Sequence, residues 1–266
     1  MISLESAEKI IEQNASGIQD NEVVELNYST GRVIAEDIFS DIDMPPFNKS
    51  AMDGYACRRE NISQPLEVIE TIHAGVSPVK PIEKGQCARI MTGAKIPAGA
   101  NCVIKIEDTS RINENKIIFI GKESSDNLCF QGEDIKKGEL VLSKGTIINP
   151  RITGLLASVG FTKLTVTRRI RIGFFCTGSE LIEPDEIPSG VFIRNSNASQ
   201  LSAQISETGA IPYYHGIIAD NRDLITAKLN QLIDSYPVII ITGGASVGDF
   251  DFINEILQQS GFTVHF

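Results

Sequence analysis

Two glycine-containing loops in the last third of the chain combine residue types that can bind phosphate. Thr177-Gly-Ser-Glu-Leu181 follows one apolar run, and Thr242-Gly-Gly-Ala-Ser-Val-Gly-Asp-Phe-Asp251 follows the apolar run Ile239–Ile241. Glycine lets a backbone approach an anion closely, and the free N–H groups at the start of a following helix can hold phosphate. We therefore expect both loops to lie at a ligand-binding edge of the protein.

Two carboxylates in the second loop indicate a metal ion. Asp249 and Asp251 are separated by one residue, so both reach a single Mg²⁺ if the loop curls. Mg²⁺ takes few protein carboxylates and completes its shell with water and phosphate oxygens. Asp251 has a second interpretation, because it directly precedes the predicted helix 252–259 and suits its N-cap.

The same loop also matches the pattern of an esterase nucleophile. Gly244-Ala-Ser-Val-Gly248 is a G-x-S-x-G sequence between a predicted strand and a predicted helix, which would make Ser246 the nucleophile. A triad of that kind needs an acid and then a histidine downstream, and only His265 follows. His73 and His215 are isolated and are expected to be structural or exposed, and no zinc-ligand spacing is present. The hydrolase interpretation is therefore the weaker one.

The segment Met44–Ala56 is a second candidate region for chemistry. It contains two adjacent prolines, a polar Asn-Lys-Ser run and the carboxylate of Asp53, followed by Gly54. The prolines fix their own backbone and lack N–H donors, so neither a helix nor an ordinary strand suits this composition. A rigid loop that holds an acid is a common location of function. The alternative is a surface turn with Asp53 in water.

Three further polar segments have local explanations. Arg194-Asn-Ser-Asn-Ala198 precedes a predicted helix, where Asn and Ser are good N-caps. Met91–Ala94 and Gly132–Asp134 lie between β-prone segments, and each by itself is typical of a solvated turn. Composition alone therefore assigns no chemistry to them.

Charge and composition exclude several classes of function. The chain has 266 residues, is 42% hydrophobic and carries a net charge of −10, which suits two or three globular domains. A negative field argues against nucleic acid or an anionic membrane as the main partner, and no apolar run approaches the ~18 residues of a membrane span. The negative charge of an anionic substrate would have to be stabilised locally by backbone amides, basic side chains or a metal.

Cysteine usage and the N-terminus indicate the cytoplasm. The five cysteines form no CxxC pair, and an odd number in a chain of this size fits a reducing compartment and buried structural thiols. The residues after Met1 show no signal-peptide pattern.

The periodicity along the chain changes twice. Residues 4–14 have helical spacing with Ser3 as N-cap, and 41–137 contains short β-prone segments divided by Gly, Pro, Asn and Ser. Pro150 opens a helix.

From about residue 168, apolar strands alternate with helices, which predicts a mainly parallel sheet with ligands beyond the carboxyl ends of its strands. The last predicted strand, 262–266, ends with the chain, so we expect a C-terminally truncated fragment.

Several of these segments, taken together and in order, resemble the MoeA family, the molybdopterin molybdenumtransferases that include the gephyrin E domain. Several independent segments in one order are far more specific than any single motif. The matching segments are Pro46–Ala56, Thr92–Ala94 with Pro97–Ala100, Gly132–Asp134, Thr177–Leu181, Asn195–Asn197 and Gly243–Asp251.

The resemblance implies a multi-domain α+β and α/β fold. A helical and strand-containing part would comprise 1–40 plus 138–167, and a β-rich domain 41–137. A MogA-like three-layer α/β domain with a mainly parallel sheet, incomplete at its C-terminus, would comprise 168–266. The resemblance also implies an elongated homodimer whose cleft combines the α/β domain of one subunit with the β-rich domain of the other.

The implied activity is the insertion of molybdate into adenylylated molybdopterin with release of AMP, assisted by Mg²⁺, and a MogA-type adenylyltransferase is an expected partner. Carried over residue by residue, the implied site falls into three groups. The catalytic group is Asp53, Thr92, Asp134, Glu180 and Asp251. The cofactor-binding group is Asn195, Ser196, Asp220, Gly243, Gly244, Ser246 and Gly248. The metal ligands are Glu180, Asp249 and Asp251.

Three departures from the family pattern bear on activity. Ser179 stands where the family usually has Asp, and Cys129-Phe130-Gln131 stands where an Arg often precedes Gly-Glu-Asp. The basic Pro-Gly-Lys-Pro region and the C-terminal β domain, normally downstream, are missing. An alternative function is therefore a non-catalytic molybdopterin-binding or scaffold protein of the same fold.

Overall fold

A computed structural model describes residues 2–15, 20–243 and 253–265. The chain divides into two compact units. Unit 1 comprises 1–35, 147–153 and 163–266, and unit 2 comprises 36–146 and 154–162. The three-domain division of the sequence stays a prediction. No helix in the described ranges is long and apolar enough to cross a membrane.

The elements follow the chain in this order. The helices are α1 Leu4–Asn14, α2 Pro150–Ser158, α3 Ser196–Glu207, α4 Arg222–Ile233 and α5 Ile253–Gln259. The strands up to residue 113 are β1 Asn21–Glu25, β2 Ile38–Phe39, β3 Lys49–Ser50, β4 Gly54–Cys57, β5 Leu66–Ile72, β6 Gln86–Ile90, β7 Cys102–Lys105 and β8 Thr109–Asn113. The later strands are β9 Lys116–Phe119, β10 Leu128–Cys129, β11 Leu140–Leu142, β12 Lys163–Thr167, β13 Arg171–Thr177, β14 Leu181–Ile182, β15 Ile193–Arg194, β16 Ile211–Ile218 and β17 Val238–Thr242.

Unit 2 is built on a mixed sheet with strand order β7-β4-β6-β5-β9-β8 among its described residues. β4 pairs antiparallel with β6 and β7, and β5 pairs parallel with β6. Alternate side chains of the central strands enter two separate cores, one containing Tyr55 and Ile104 and the other Ile72 and Ile90. Both faces of the sheet are therefore covered, which explains why these strands are apolar at nearly every position.

The structure corrects part of the prediction for Met44–Ala56. Gly54–Cys57 is a fully buried central strand rather than a continuation of the loop. Gly54 is required there because a Cβ on it would lie 2.0 Å from the backbone oxygen of Ile104 on β7. Asp53 therefore stands directly at the entrance of a rigid strand, in a position that the surrounding sheet holds firmly.

Unit 1 contains the predicted parallel sheet, with strand order β16-β13-β17 and parallel pairing throughout these three strands. Phe174 and Cys176 of β13 pack against α3 on one face. Phe175 packs on the other face against Leu229 of α4 and Ile256 of α5. Helices thus cover both faces, as the alternation of strands and helices predicts.

The N-terminal part of unit 1 is an antiparallel pair, β1 with β12. Helix α1 begins after Ser3, whose side chain accepts a hydrogen bond from the Ser6 N–H, so the predicted N-cap is confirmed. One predicted strand is wrong, because residues 262–265 form no strand. Residues 32–35 contribute isolated bridges through Val33 and Ile34.

The cysteines are free thiols, and four of them, Cys57, Cys87, Cys102 and Cys176, are buried. Burial raises the pKa of Cys87 to about 12, which keeps this thiol protonated and unreactive. Cys129 is partly buried. The expectation of buried structural thiols is therefore confirmed for all but Cys129.

Candidate active site at the carboxyl edge of the sheet

The loops that follow β13 and β16 are joined by a reciprocal pair of hydrogen bonds. The backbone N–H of Ser179 donates to Asp220 Oδ2 at 3.0 Å, and the backbone N–H of Asp220 donates to Ser179 Oγ at 3.1 Å. The predicted loop Thr177–Leu181 and the predicted residue Asp220 therefore meet at the carboxyl edge of the parallel sheet, where α/β proteins bind ligands. The serine that departs from the family pattern has a defined role here, because its hydroxyl accepts the Asp220 N–H.

The loop after β17 approaches the end of β13 closely at Gly243. A Cβ on Gly243 would lie 2.2 Å from the backbone oxygen of Thr177, and its φ of +90° also favours glycine. The hydroxyl of Thr177 donates to the Thr242 carbonyl at 3.4 Å. Gly243 was expected to let the backbone approach an anion. In the structure, its missing side chain allows the loop after β17 to pack against the end of β13.

At this edge Asp220 is accompanied by a second acid, Glu180. Its side chain is exposed, and its carbonyl accepts a hydrogen bond from Ile193 on β15. An exposed carboxylate suits Mg²⁺, which needs few protein ligands. The described residues hold no group of three or more metal-binding side chains. The predicted partners Gly244, Ser246, Gly248, Asp249 and Asp251 lie outside the described residues.

Asn195 and Ser196 lie where the sequence predicts an N-cap. The Asn195 side chain is 1% exposed, and its Oδ1 accepts from the Ala198 N–H at 3.3 Å while its Nδ2 donates to the Tyr214 hydroxyl at 2.9 Å. Ser196 is the first residue of α3. The Asn195 side chain therefore caps α3 and ties it to Tyr214, whether or not it also contacts a ligand.

Sequence reasoning missed two residues that complete this network. The Tyr214 hydroxyl donates to Glu183 Oε1 at 2.9 Å, which links β16 to the segment after β14. Burial, followed by the neighbouring Glu183 carboxylate, raises the pKa of Tyr214 above its ordinary value, so the phenol remains a donor. The available signal was the pair of adjacent tyrosines, Tyr213 and Tyr214, whose side chains must point to opposite faces of a strand, but the sequence does not show which residue Tyr214 contacts.

We expect Tyr214→Phe to lower the free energy of unfolding of this protein by about 1–3 kcal/mol, because it leaves the buried Asn195 amide and the partly buried Glu183 carboxylate without this hydrogen bond. Tyr213→Phe is the matched control, since this neighbouring tyrosine is 39% exposed. Denaturant unfolding followed by circular dichroism measures both. Equal effects of the two substitutions would contradict the role given to the Tyr214 hydroxyl.

In unit 2, Asp53 and Thr92 form a directly bonded pair. Asp53 Oδ1 accepts from both the backbone N–H and the hydroxyl of Thr92, each at 2.7 Å. The hydrogen bond from the Thr92 backbone, followed by the one from its hydroxyl, holds the pKa of Asp53 below its ordinary value. The positive charge of Arg89 lowers this pKa further. The two predicted residues are therefore brought together, 39 positions apart in the sequence.

Thr92→Val should raise the pKa of Asp53 toward its ordinary value, because the variant keeps the backbone donor but loses the hydroxyl. Thr92→Ser is the control that restores the donor. Because the pKa of Asp53 is lowered in the folded protein, its ionised carboxylate stabilises the fold at a pH above the unfolded pKa. This stabilisation is lost as the pH falls through the folded pKa. Carboxyl NMR titration of Asp53 gives the pKa, and an unchanged value in Thr92→Val would disprove the assignment.

Asp134 belongs to a turn that packs on the proline loop. The Asp134 N–H donates to the carbonyl of Met44 and the Gly132 N–H to that of Pro45, both at 3.0 Å, and the Met44–Pro45 peptide is cis. The Asp134 side chain is exposed. The three matching segments of unit 2 thus lie together, because Asn48 and Ser50 also bond the 91–96 turn.

Asp43 is an acid in this region that sequence reasoning missed. Its carboxylate accepts from the backbone N–H of Lys137 at 2.9 Å and from Gln131 Nε2 at 2.8 Å, and these bonds lower its pKa. Gln131, which lies in the Cys129-Phe130-Gln131 segment that differs from the family pattern, therefore holds the Asp43 carboxylate in position. Asp43 directly precedes the proline loop, which was the available signal.

A family model described as the MoeA N-terminal region (domain I and II) matches residues 2–160. The chain belongs to the MoeA family. A second model, described as a probable molybdopterin binding domain, matches residues 173–265, which include the carboxyl-edge loops of this MoeA-family chain.

Known relatives agree with this membership. The chain is 40% identical over 259 residues to a molybdopterin molybdenumtransferase of Bacillus subtilis (strain 168), covering 93% of this chain and 60% of the relative. It is 37% identical over 263 residues to a protein of the same name from Staphylococcus epidermidis, covering 96% of this chain and 62% of the relative. The chain therefore spans about three fifths of the length of these curated relatives.

A solved structure has the same fold. The crystal structure of the molybdopterin biosynthesis moeA protein from Pyrococcus horikoshii OT3 superimposes with a TM-score of 0.84 at 34% identity, covering 91% of this chain and 66% of that one. The MoeA-like combination of a β-rich region with a parallel α/β domain, expected from the sequence, is confirmed.

Proposed function

We propose that this MoeA-family chain acts in molybdenum cofactor biosynthesis as a molybdopterin molybdenumtransferase, which inserts molybdate into adenylylated molybdopterin and releases AMP. The observation that carries the proposal is the Ser179–Asp220 bridge, which presents Glu180 at the carboxyl edge of the sheet. The edge lies in the region that matches a probable molybdopterin-binding domain. The relatives named molybdopterin molybdenumtransferase support the reaction.

In this proposal the carboxyl-edge loops bind the pyrophosphate of the substrate. Backbone N–H groups of the glycine loops stabilise the charge that develops on the phosphoryl group. Glu180, with Asp249 and Asp251, would hold Mg²⁺, which supplies Lewis acidity to the pyrophosphate when it is bound. Asn195, Ser196 and the neighbouring loop residues Asp220, Gly243, Gly244, Ser246 and Gly248 would contact the cofactor.

The acid-bearing surface of unit 2 would serve the molybdate-facing side of the reaction. Thr92 favours the ionised form of Asp53 by lowering its pKa, and Asp134 is exposed, so both carboxyl groups are available as hydrogen-bond acceptors for the substrate. A homodimer, in which one subunit contributes this surface to the site of the other, is part of the proposal, and so are a MogA-type adenylyltransferase partner and a cytoplasmic location.

The decisive experiment measures molybdate-dependent AMP release from adenylylated molybdopterin. It should be run on this chain and on a form that has the length of the relatives. AMP release that requires molybdate and rises with Mg²⁺ supports the transferase. Tight cofactor binding without AMP release in either form would instead identify the non-catalytic binding protein.

A further inference from the structure

A second cleft of unit 1 lies at the edge of the sheet opposite the candidate active site. It has a volume of about 670 Å³ and is lined by Asp20, Arg168–Arg171 and Ile233–Pro237. A volume between roughly 300 and 1,000 Å³ is typical of pockets for small molecules. Because the cleft surrounds the amino ends of β13 and β17, it lies on the order of 20 Å from the loop after Thr177, the length of a seven-residue strand.

Three arginines and two aspartates, Asp20 and Asp234, line this cleft, so its lining carries a net charge of +1 in a chain whose net charge is −10. Arg168 pairs with Asp20, with Nη1 and Oδ2 3.7 Å apart, and Arg171 Nη2 donates to the Ser235 carbonyl at 3.3 Å. Arg169 is exposed and has no side-chain hydrogen bond or ion pair with any described residue.

An aromatic wall accompanies the arginines. The guanidinium carbon of Arg171 lies 5.9 Å from the ring centroid of Tyr236, and the Tyr213 ring packs against the same tyrosine at 5.4 Å. A Cβ on Gly173 would lie 2.8 Å from the Tyr236 ring, so glycine at this position of β13 makes room for it. Tyr236 is therefore held firmly beside the charged groups.

From this combination we infer that the cleft is a binding site for a nucleoside phosphate. Guanidinium groups match phosphate oxygens with paired N–H donors, and an aromatic ring beside them suits the planar base. Lysine clusters bind anions as point charges, whereas three arginines beside a tyrosine favour a ligand with both a phosphate and a ring. The site is separate from the carboxyl-edge loops and needs no metal.

The test is a calorimetric titration of this chain with ADP in the presence of EDTA, which removes binding that depends on Mg²⁺. We expect saturable binding that Arg169→Ala weakens at least tenfold, and that Tyr236→Leu and Arg171→Lys also weaken. Arg169 is exposed, so its substitution leaves the fold intact. Arg151→Ala, on an exposed arginine of α2 in the same unit, is the matched control and should leave binding unchanged.

Two further ligands test the chemistry of the site. Adenosine, which lacks phosphate, and pyrophosphate, which lacks the ring, should each bind at least tenfold more weakly than ADP. The inference is overturned if ADP does not bind, if Arg169→Ala leaves its affinity unchanged, or if pyrophosphate binds as tightly as ADP. None of these outcomes depends on AMP release, so the proposed transferase function is tested separately.

Discussion

Gly54→Ala is expected to lower the free energy of unfolding of unit 2 by about 3 kcal/mol or more. The new Cβ would stand 2.0 Å from the backbone oxygen of Ile104, and 3.1 Å from a side-chain carbon of Val103. A backbone oxygen in a central strand cannot move without breaking the pairing of β4 with β7, so relief of the clash disrupts the sheet. Denaturant unfolding followed by circular dichroism measures the loss.

Gly154→Ala is the matched control for this prediction. Gly154 lies in α2, is exposed, and has nothing within 4 Å of the position of a new Cβ. Alanine in a helix is favoured over glycine by about 0.5–1 kcal/mol, so the control should be neutral or stabilising. Equal changes in stability for the two substitutions would contradict the conclusion that the close approach of β4 to β7 requires glycine at position 54.

The second large effect concerns the reaction. Under the proposed function, Glu180→Gln should reduce Mg²⁺-dependent AMP release by about 10²-fold or more, the scale at which lost electrostatic stabilisation of a transition state is measured. The substitution keeps the size of the side chain and removes its charge. A steady-state assay over a range of Mg²⁺ concentrations, in a form of the protein that releases AMP, measures both the rate and the apparent metal affinity.

The control for Glu180→Gln is Glu207→Gln at the exposed end of α3, which removes the same charge from unit 1 away from the carboxyl edge. Stability of both variants should match the parent, because Glu180 is exposed. Unchanged AMP release in Glu180→Gln would remove this residue from the proposed mechanism while leaving the membership of the family untouched.

Local patterns were enough to predict several features. Ser3 as N-cap, helix 4–14 and the alternation of strands and helices after residue 168 depend on neighbours in the sequence, and all are confirmed. The carboxyl-edge position of Thr177–Leu181 follows from the same alternation, because consecutive parallel strands end at one edge.

Other features were not predictable from local patterns. The composition of Met44–Ala56 indicated a loop throughout, yet Gly54–Cys57 is a central strand because neighbours from β6 and β7 enclose it. Residues 262–265, in which apolar and polar side chains alternate, fit a strand pattern but have no strand partner in the described structure. Strand formation depends on a partner, which a single segment does not reveal.

The sequence by itself determined the class of the protein: its family motifs, its parallel α/β region and the glycine-containing loops of the carboxyl edge, for which phosphate binding stays a prediction. Only the tertiary structure decided which side chains meet. Ser179 bonds Asp220 from 41 positions away, Glu183 bonds Tyr214 from 31, and Arg171 of the second cleft lies over the ring of Tyr236 on a later segment. Such pairs depend on strand register and on the packing of helices over the sheet, which are properties of the whole fold and of no single stretch of residues.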